Sequence, residues 1–178
     1  MINRKFFFDY VKLHLFGGTL AQSQVDGMTA ILDEWEKKHP NEDDRWVSYM
    51  LGTTHHETDK KMQPIREYGR GRGMAYGTTY YGRGFVQLTW EQNYQKMSEV
   101  TGVNLVKNPD RALELPLATQ IMFYGMINGS FTGKKLTDYF NKTTENWVQA
   151  RQIINRLDKA QLIAGYAKDY YAAISYTT

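Results

Sequence analysis

The 178 residues include no cysteine, which excludes a disulfide framework, a thiolate nucleophile and a Cys-ligated metal. Prolines number only four, and no linker, internal repeat or low-complexity tract divides the chain. Long apolar runs are missing as well. The cluster Phe6-Phe7-Phe8 is interrupted by Asp9, Lys12 and His14 and no small-residue cleavage site follows, so neither a signal peptide nor a membrane span is read there. Charge of one sign is also scarce. Lys and Arg number 22 against 19 Asp and Glu, a net +3, too mild for nucleic-acid binding across the whole surface. With 42% hydrophobic and 23% charged residues, the composition is that of one folded domain spanning 1-178, large enough for a sizeable core.

Aromatic residues are abundant, with 13 Tyr, 8 Phe and 4 Trp. Such rings fill cores and also form platforms for flat ligands such as sugar rings. The charges are unevenly placed. Residues 26-45 carry seven acids against Lys37, Lys38 and Arg45, while residues 60-83 carry six bases against Glu67 alone. The expectation is an acidic helix facing a basic, glycine-rich segment.

Most of the chain repeats its apolar positions at helical spacing. Phe7, Tyr10, Val11, His14 and Leu15 mark a first helix that Gly17-Gly18 ends. Ser23 is the expected N-cap of a second, with Val25, Met28, Ile31, Leu32 and Trp35 as its buried stripe. A third opens among Asp43 and Asp44, whose charge suits a helix N-terminus, and its stripe lands on Glu57. Between Gly69 and Gly84 lie six glycines in sixteen residues, which reads as a loop or small β-hairpin, with Phe85-Val86-Gln87-Leu88 as a short strand. Helices resume at Trp90, at Pro116 with Gly129 as stop, at Leu136, at Trp147 and after Asp158. The fold class expected is mainly α, a single helical domain with a small β-hairpin insertion at about 69-88.

Glu57 is the first candidate for chemistry. It continues a buried stripe, and desolvation favours the protonated form that a general acid needs. The plain alternative is a helix-terminal glutamate that turns outward to pair with Lys60 or Lys61. Glu67, beyond Pro64 and so on another element, either bridges to Arg66 or Arg70 or supplies a second carboxylate across a cleft. Two carboxylates flanking a groove are the minimal equipment of glycoside hydrolysis. His55 and His56 do not form the His-Glu-x-x-His arrangement of zinc hydrolases, so no metal is expected. The run from Gly69 to Gly73 lacks the spacing and lysine of a phosphate loop, and Arg-Gly tracts that bind RNA are long and disordered. Thr89-Trp90-Glu91-Gln92 reads as a capping box, which would hold Thr89 and Asn93 rigidly beside the hairpin.

His56-Glu57-Thr58, then the run Tyr81-Gly82-Arg83-Gly84-Phe85-Val86-Gln87-Leu88-Thr89-Trp90, then Asn93-Tyr94 resemble the family 19 glycoside hydrolases. That family includes plant-type chitinases and bacteriophage or prophage endolysins of the lysozyme-like superfamily. The resemblance implies a lysozyme-like α+β fold, with Glu57 as general acid and Thr89 helping to hold the attacking water. His56, Tyr81, Gln87 and Asn93 would contact sugar. Asn155 would match the asparagine of an Ile-Asn pair near the last helix, although Arg156 stands where the family has glycine. Compact endolysins of the family place an acid about where Glu67 falls, which points toward peptidoglycan and away from chitin. Inverting chemistry would set the two carboxyls roughly 6.5–9.5 Å apart.

The function expected is therefore a phage-type endolysin that cuts the β-1,4 glycan backbone of peptidoglycan. It would need no cofactor, bind no nucleic acid, associate with no membrane stably and act as a monomer. It would accumulate in the host cytoplasm until a holin-type pore releases it to the wall. The rivals are a chitinase on the same scaffold, a non-catalytic glycan-binding protein and, more remotely, an RNA-binding role for the Arg-Gly run.

Overall fold

The third helix explains the rest of the architecture. In a computed structural model that describes residues 1–176, helix α3 spans Asp44–Glu57 and every residue from Trp46 to His55 is buried. A helix buried on all sides must be wrapped by other elements. Helices α2 (Gln22–Lys38), α5 (Leu115–Asn128) and α6 (Ala160–Ile174) pack against it, while α1 (Arg4–His14) packs on α6 and α4 (Glu91–Thr101) on α5. The most extensive contact is between α3 and α6. It is possible because Gly52 has no side chain: a Cβ there would lie 2.8 Å from the backbone nitrogen of Ala167.

Local sequence accounts for several helix ends. Asp43 caps α3, its carboxylate accepting from the Arg45 amide at 3.0 Å. Pro116 sits in the first turn of α5, and Gly129 closes it in the left-handed conformation. Of the stripe expected for the last helix, Ile163, Ala167, Tyr170 and Ile174 of α6 are buried as the spacing requires, while Tyr166 is half-buried. Ser23, in contrast, does not cap α2. The helix begins two residues earlier, with Ala21 as N-cap and the Gln24 side chain reaching back to the Ala21 amide at 2.8 Å. A longer side chain at the third helical position does the work that the serine hydroxyl was expected to do.

Among the described residues, sheet content is limited to two antiparallel two-residue strands, β1 (Ile65–Arg66) and β2 (Arg83–Gly84), with Ile65 opposite Gly84 and Arg66 opposite Arg83. The insertion is therefore a closed loop of turns between them. Phe85-Val86-Gln87 forms a turn and not the expected strand, with only a bridge from Arg83 to Leu88. Burial of Phe85 at 0% exposure shows why: an apolar run can fill a core without extending. Two short 3-10 turns, Leu136–Asp138 and Gln149–Ile153, stand where short helices were expected.

The acidic helix and the basic segment do not neutralise each other. Asp33 and Glu36 of α2 pair with Arg4, and Glu34 with Lys38. In the basic segment, Arg66 and Arg83 both pair with Asp110. Among the described residues, no helix is long and apolar enough to cross a membrane.

Candidate active site

Glu57 is the last residue of α3, where the helix carbonyls point outward and disfavour a negative charge. The chain then turns sharply, with Asp59, Lys60 and Met62 all at positive φ. Glu57 pairs with neither Lys60 nor Lys61, and it is not an isolated desolvated carboxyl. Arg151 donates to its Oε1 at 2.6 Å, with Arg151 only 3% and Glu57 15% exposed at the side chain. This corrects the expectation that burial alone would set its character. Arg151 comes from the 3-10 turn before α6 and is anchored by its Nε on the Asp158 carbonyl at 3.0 Å. A separation of 94 residues hides such a partner from any local pattern.

Glu57 opens onto a cleft of about 420 Å³. Met74 and Tyr76 from the glycine-rich loop form part of its wall, and Gln87, Thr89 and Trp90 from the turn after β2 form another. Asn93 of α4, Phe131, Ile154 and Asn155 complete it. A larger depression of about 510 Å³ lies between α2, α4 and α5. There, however, Glu34 and Glu99 sit beside Lys38 and Lys96 as ion pairs, and no buried acid faces it.

Thr89 does not act as a helix cap. Trp90 holds the N-cap position of α4 with φ 73°, without a side-chain cap bond. Its amide donates to the Tyr80 carbonyl at 3.0 Å and its ring meets Tyr76 edge-on at 5.7 Å. This anchoring fixes a left-handed conformation that costs a bulky residue about 1–3 kcal/mol. Among the described residues the Thr89 hydroxyl has no protein partner in the cleft, while Asn93 donates from its side chain to the Thr89 carbonyl at 2.8 Å. Gln87, also at positive φ, spends its amide hydrogens on the carbonyls of Ile65 and Gly84. Asn155 is exposed at the rim, its side-chain oxygen accepting from the Arg156 amide at 2.8 Å.

Glu67 bridges to neither Arg66 nor Arg70. Its Oε2 accepts from the Gly82 amide at 2.9 Å, and its Oε1 from the Tyr76 hydroxyl at 2.9 Å and, more weakly, from the Gly71 amide at 3.4 Å. The half-buried carboxylate does not itself line the cleft, which Tyr76 does. Gly71 allows this closure, because φ is +72° and a Cβ would lie 1.9 Å from the Gly77 carbonyl oxygen. Burial and the adjacent Glu67 push the Tyr76 phenol up to about 12.

Two residues expected on the substrate lie elsewhere. Tyr81, 7% exposed, is stacked under the Arg83 guanidinium at 3.7 Å. Arg83 also binds Asp110, the carbonyls of Thr79 and Tyr81, and the Tyr94 hydroxyl. The Tyr-Gly-Arg-Gly stretch is thus the brace of the loop. His56 is half-buried and outside the cleft lining, while its neighbour His55 is buried with Nδ1 3.0 Å from the Tyr170 hydroxyl. Burial, with Lys60 and His56 adding to it, lowers the His55 imidazole to about 4. Among the described residues no group of three His, Asp or Glu could hold a metal ion.

Comparison with known proteins places this geometry. Residues 42–129 match the glycoside hydrolase family 19 described as chitinase class I. The chain is similar to an endochitinase of Arabidopsis thaliana, 34% identical over 80 residues, which are 40% of this chain and 28% of the relative. It is also 53% identical over 36 residues to an endochitinase of Carica papaya, and 47% identical over 36 residues to an inactive chitinase-like protein of Hevea brasiliensis. These two stretches are 20% of this chain and 15% and 12% of the respective relatives. The chain thus spans less than a third of the curated relatives it matches. Its fold resembles a bacterial family 19 chitinase with a TM-score of 0.66 at 18% identity, covering 99% of this chain and 96% of that one. A class IV chitinase of Zea mays gives 0.63 at 16% identity, covering 98% and 93%.

Proposed function

Residues 42–129 of this chain match the chitinase class I family of glycoside hydrolases, and on that premise we propose an inverting glycosidase of this family that hydrolyses the β-1,4 glycan backbone of bacterial peptidoglycan. The observation that carries the reading is the meeting of Glu57, with Arg151 on one oxygen, and an uncommitted Thr89 hydroxyl in a single cleft. Family membership alone would be too little, since one relative is named an inactive protein.

Arg151 occupies Oε1 of Glu57, and Oε2 has no protein partner among the described residues. A proton on Oε2 would pass to the leaving glycosidic oxygen, and the guanidinium stabilises the carboxylate left behind. Thr89 orients the water that attacks the anomeric carbon, and Glu67 is the group that receives its proton. Tyr76, Trp90 and Phe131 give the sugar rings apolar faces.

Preference for a wall polymer is supported by the outer side of the glycine-rich loop. Arg70 and Arg72 make no ion pair among the described residues, and with Thr78 and Thr79 they border an open depression of about 570 Å³. Such a surface favours the carboxylates of peptidoglycan over uncharged chitin. In this reading the protein is a phage-type endolysin, active as a monomer and released to the wall through a holin-type pore. The chitinase reading is the second candidate, favoured by the names of the relatives.

Glu57→Gln tests the assignment, because the amide oxygen can still accept from Arg151 and so keep the fold. Clearing of cell-wall suspensions should fall by at least about 100-fold with unchanged circular dichroism; retained lysis refutes the role. Mass spectrometry of the digest separates muramidase from glucosaminidase products. Sugar release from chitin oligomers, with none from peptidoglycan, would establish the chitinase reading instead. Tight binding to wall polymer without turnover by the unaltered chain would leave only a glycan-binding protein.

A further inference from the structure

Glu67 presents a geometric difficulty for any direct role in activating water. Both of its oxygens are engaged inside the loop, by the Gly82 amide, the Gly71 amide and the Tyr76 hydroxyl, and its own amide donates to the Gly82 carbonyl at 2.7 Å. Swinging the carboxylate into the cleft would strip these bonds from the turn that β1 and β2 close. Tyr76 stands between. Its hydroxyl donates to Glu67 Oε1 at 2.9 Å, its side chain lines the cleft together with Glu57 and Thr89, and Trp90 packs edge-on against its ring at 77°. The phenolic oxygen, having given its hydrogen to Glu67, retains lone pairs to accept from a water.

We propose that the Tyr76 hydroxyl relays the proton from the attacking water to Glu67, so that the base of this enzyme acts through a tyrosine. The inference rests on the glycosidase reading above. In the step, the water oxygen forms a bond to the anomeric carbon as one O–H bond of the water breaks. That proton goes to the Tyr76 oxygen while the phenolic proton passes to Glu67 Oε1, leaving a neutral tyrosine and a protonated carboxyl. On the other side the glycosidic bond breaks, and its oxygen takes the proton of Glu57. Net charge is conserved. Because the phenol lies at about 12, it stays neutral at working pH and does not accumulate as phenolate. Thr89 holds the water and Trp90 holds the plane of the relay.

The test is a double-mutant cycle on kcat with a proton inventory. If Tyr76 and Glu67 act as one unit, Tyr76→Phe and Glu67→Gln should each lower kcat by about 100-fold, with KM changed less than about threefold, and the double variant should be no slower than the worse single one. Rates in mixtures of light and heavy water should show two protons in flight for the unaltered protein and one for Tyr76→Phe. Multiplicative losses, a linear inventory in the unaltered protein, or a Tyr76→Phe variant of full activity would each overturn the relay. Should Tyr76→Phe loosen the loop, ring-fluorinated tyrosine at position 76 retains the hydrogen bond while raising the acidity of the phenol. A shifted basic limb in its kcat–pH profile supports the relay, and an unshifted limb overturns it. An unaltered chain that cleaves no glycan at all refutes the parent reading, whereas an active chain indifferent to Tyr76 refutes only the relay.

Discussion

Replacing Arg151 by methionine isolates the buried ion pair that holds Glu57 at the cleft. The guanidinium is 3% exposed and Glu57 15%, so solvent screens the pair weakly. Breaking a buried pair by deleting one partner costs about 3–5 kcal/mol, because the survivor is left without compensation. Glu57 retains some contact with water, which moves Arg151→Met to the low end, about 3 kcal/mol. For a domain of this size that is about 5–10 °C in Tm. The reverse deletion is worse. Glu57→Leu strands a guanidinium that cannot lose its proton, with only the Asp158 carbonyl left to it, and should cost about 3–5 kcal/mol. Glu57→Gln keeps an acceptor and should cost about 1 kcal/mol. In the double variant Glu57→Leu/Arg151→Met an apolar pair replaces the ions, so its loss should be well below the sum of the single ones. Urea titration of the four variants and the unaltered protein gives all these values. Additive losses, or a cost below about 0.5 kcal/mol for Arg151→Met, would show that the pair is screened and refute the reasoning.

Gly52→Ala should destabilise by about 1–3 kcal/mol, since its Cβ would meet the backbone of Ala167 at 2.8–2.9 Å and force α3 and α6 apart; unchanged urea stability would contradict that packing. His55 contributes a pH dependence of known sign. The folded imidazole is pushed down to about 4 by burial while the unfolded one takes its proton near 6.5. Stability from the neutral form is therefore complete above about pH 6.5 and is lost as pH falls toward 4, by up to about 3 kcal/mol. Nuclear magnetic resonance titration of the ring checks it: protonation near pH 6.5 in the folded protein would refute the claim.

Much of the helical framework was legible from spacing, because the apolar stripes of α2, α3 and α6 repeat at the period of a helix, and Asp43 signals the start of α3 while Pro116 and Gly129 mark the two ends of α5. Glu57 was legible for the same reason, as the continuation of a stripe. The insertion was not. Phe85 and Val86 read as strand since an apolar run says only that residues are buried, and here they are buried in a turn. Thr89 read as a helix cap, because nothing local foretold that Trp90 would be held left-handed by Tyr80 and Tyr76.

The absence of cysteine, the shortage of proline and the lack of any long apolar run were facts of the sequence, and with the helical period they determined a mainly helical fold without disulfide cross-links. Which acid meets which base was decided only by the tertiary structure. Ion pairs and hydrogen bonds form between neighbours in space, and the 94 residues separating Glu57 from Arg151 are brought together by the packing of α6 across α3. The same holds for Glu67, whose partners Tyr76 and Gly82 become its neighbours only when β1 pairs with β2. Sequence thus marked the carboxylates, and the folded loop decided that one answers to an arginine and the other to a tyrosine.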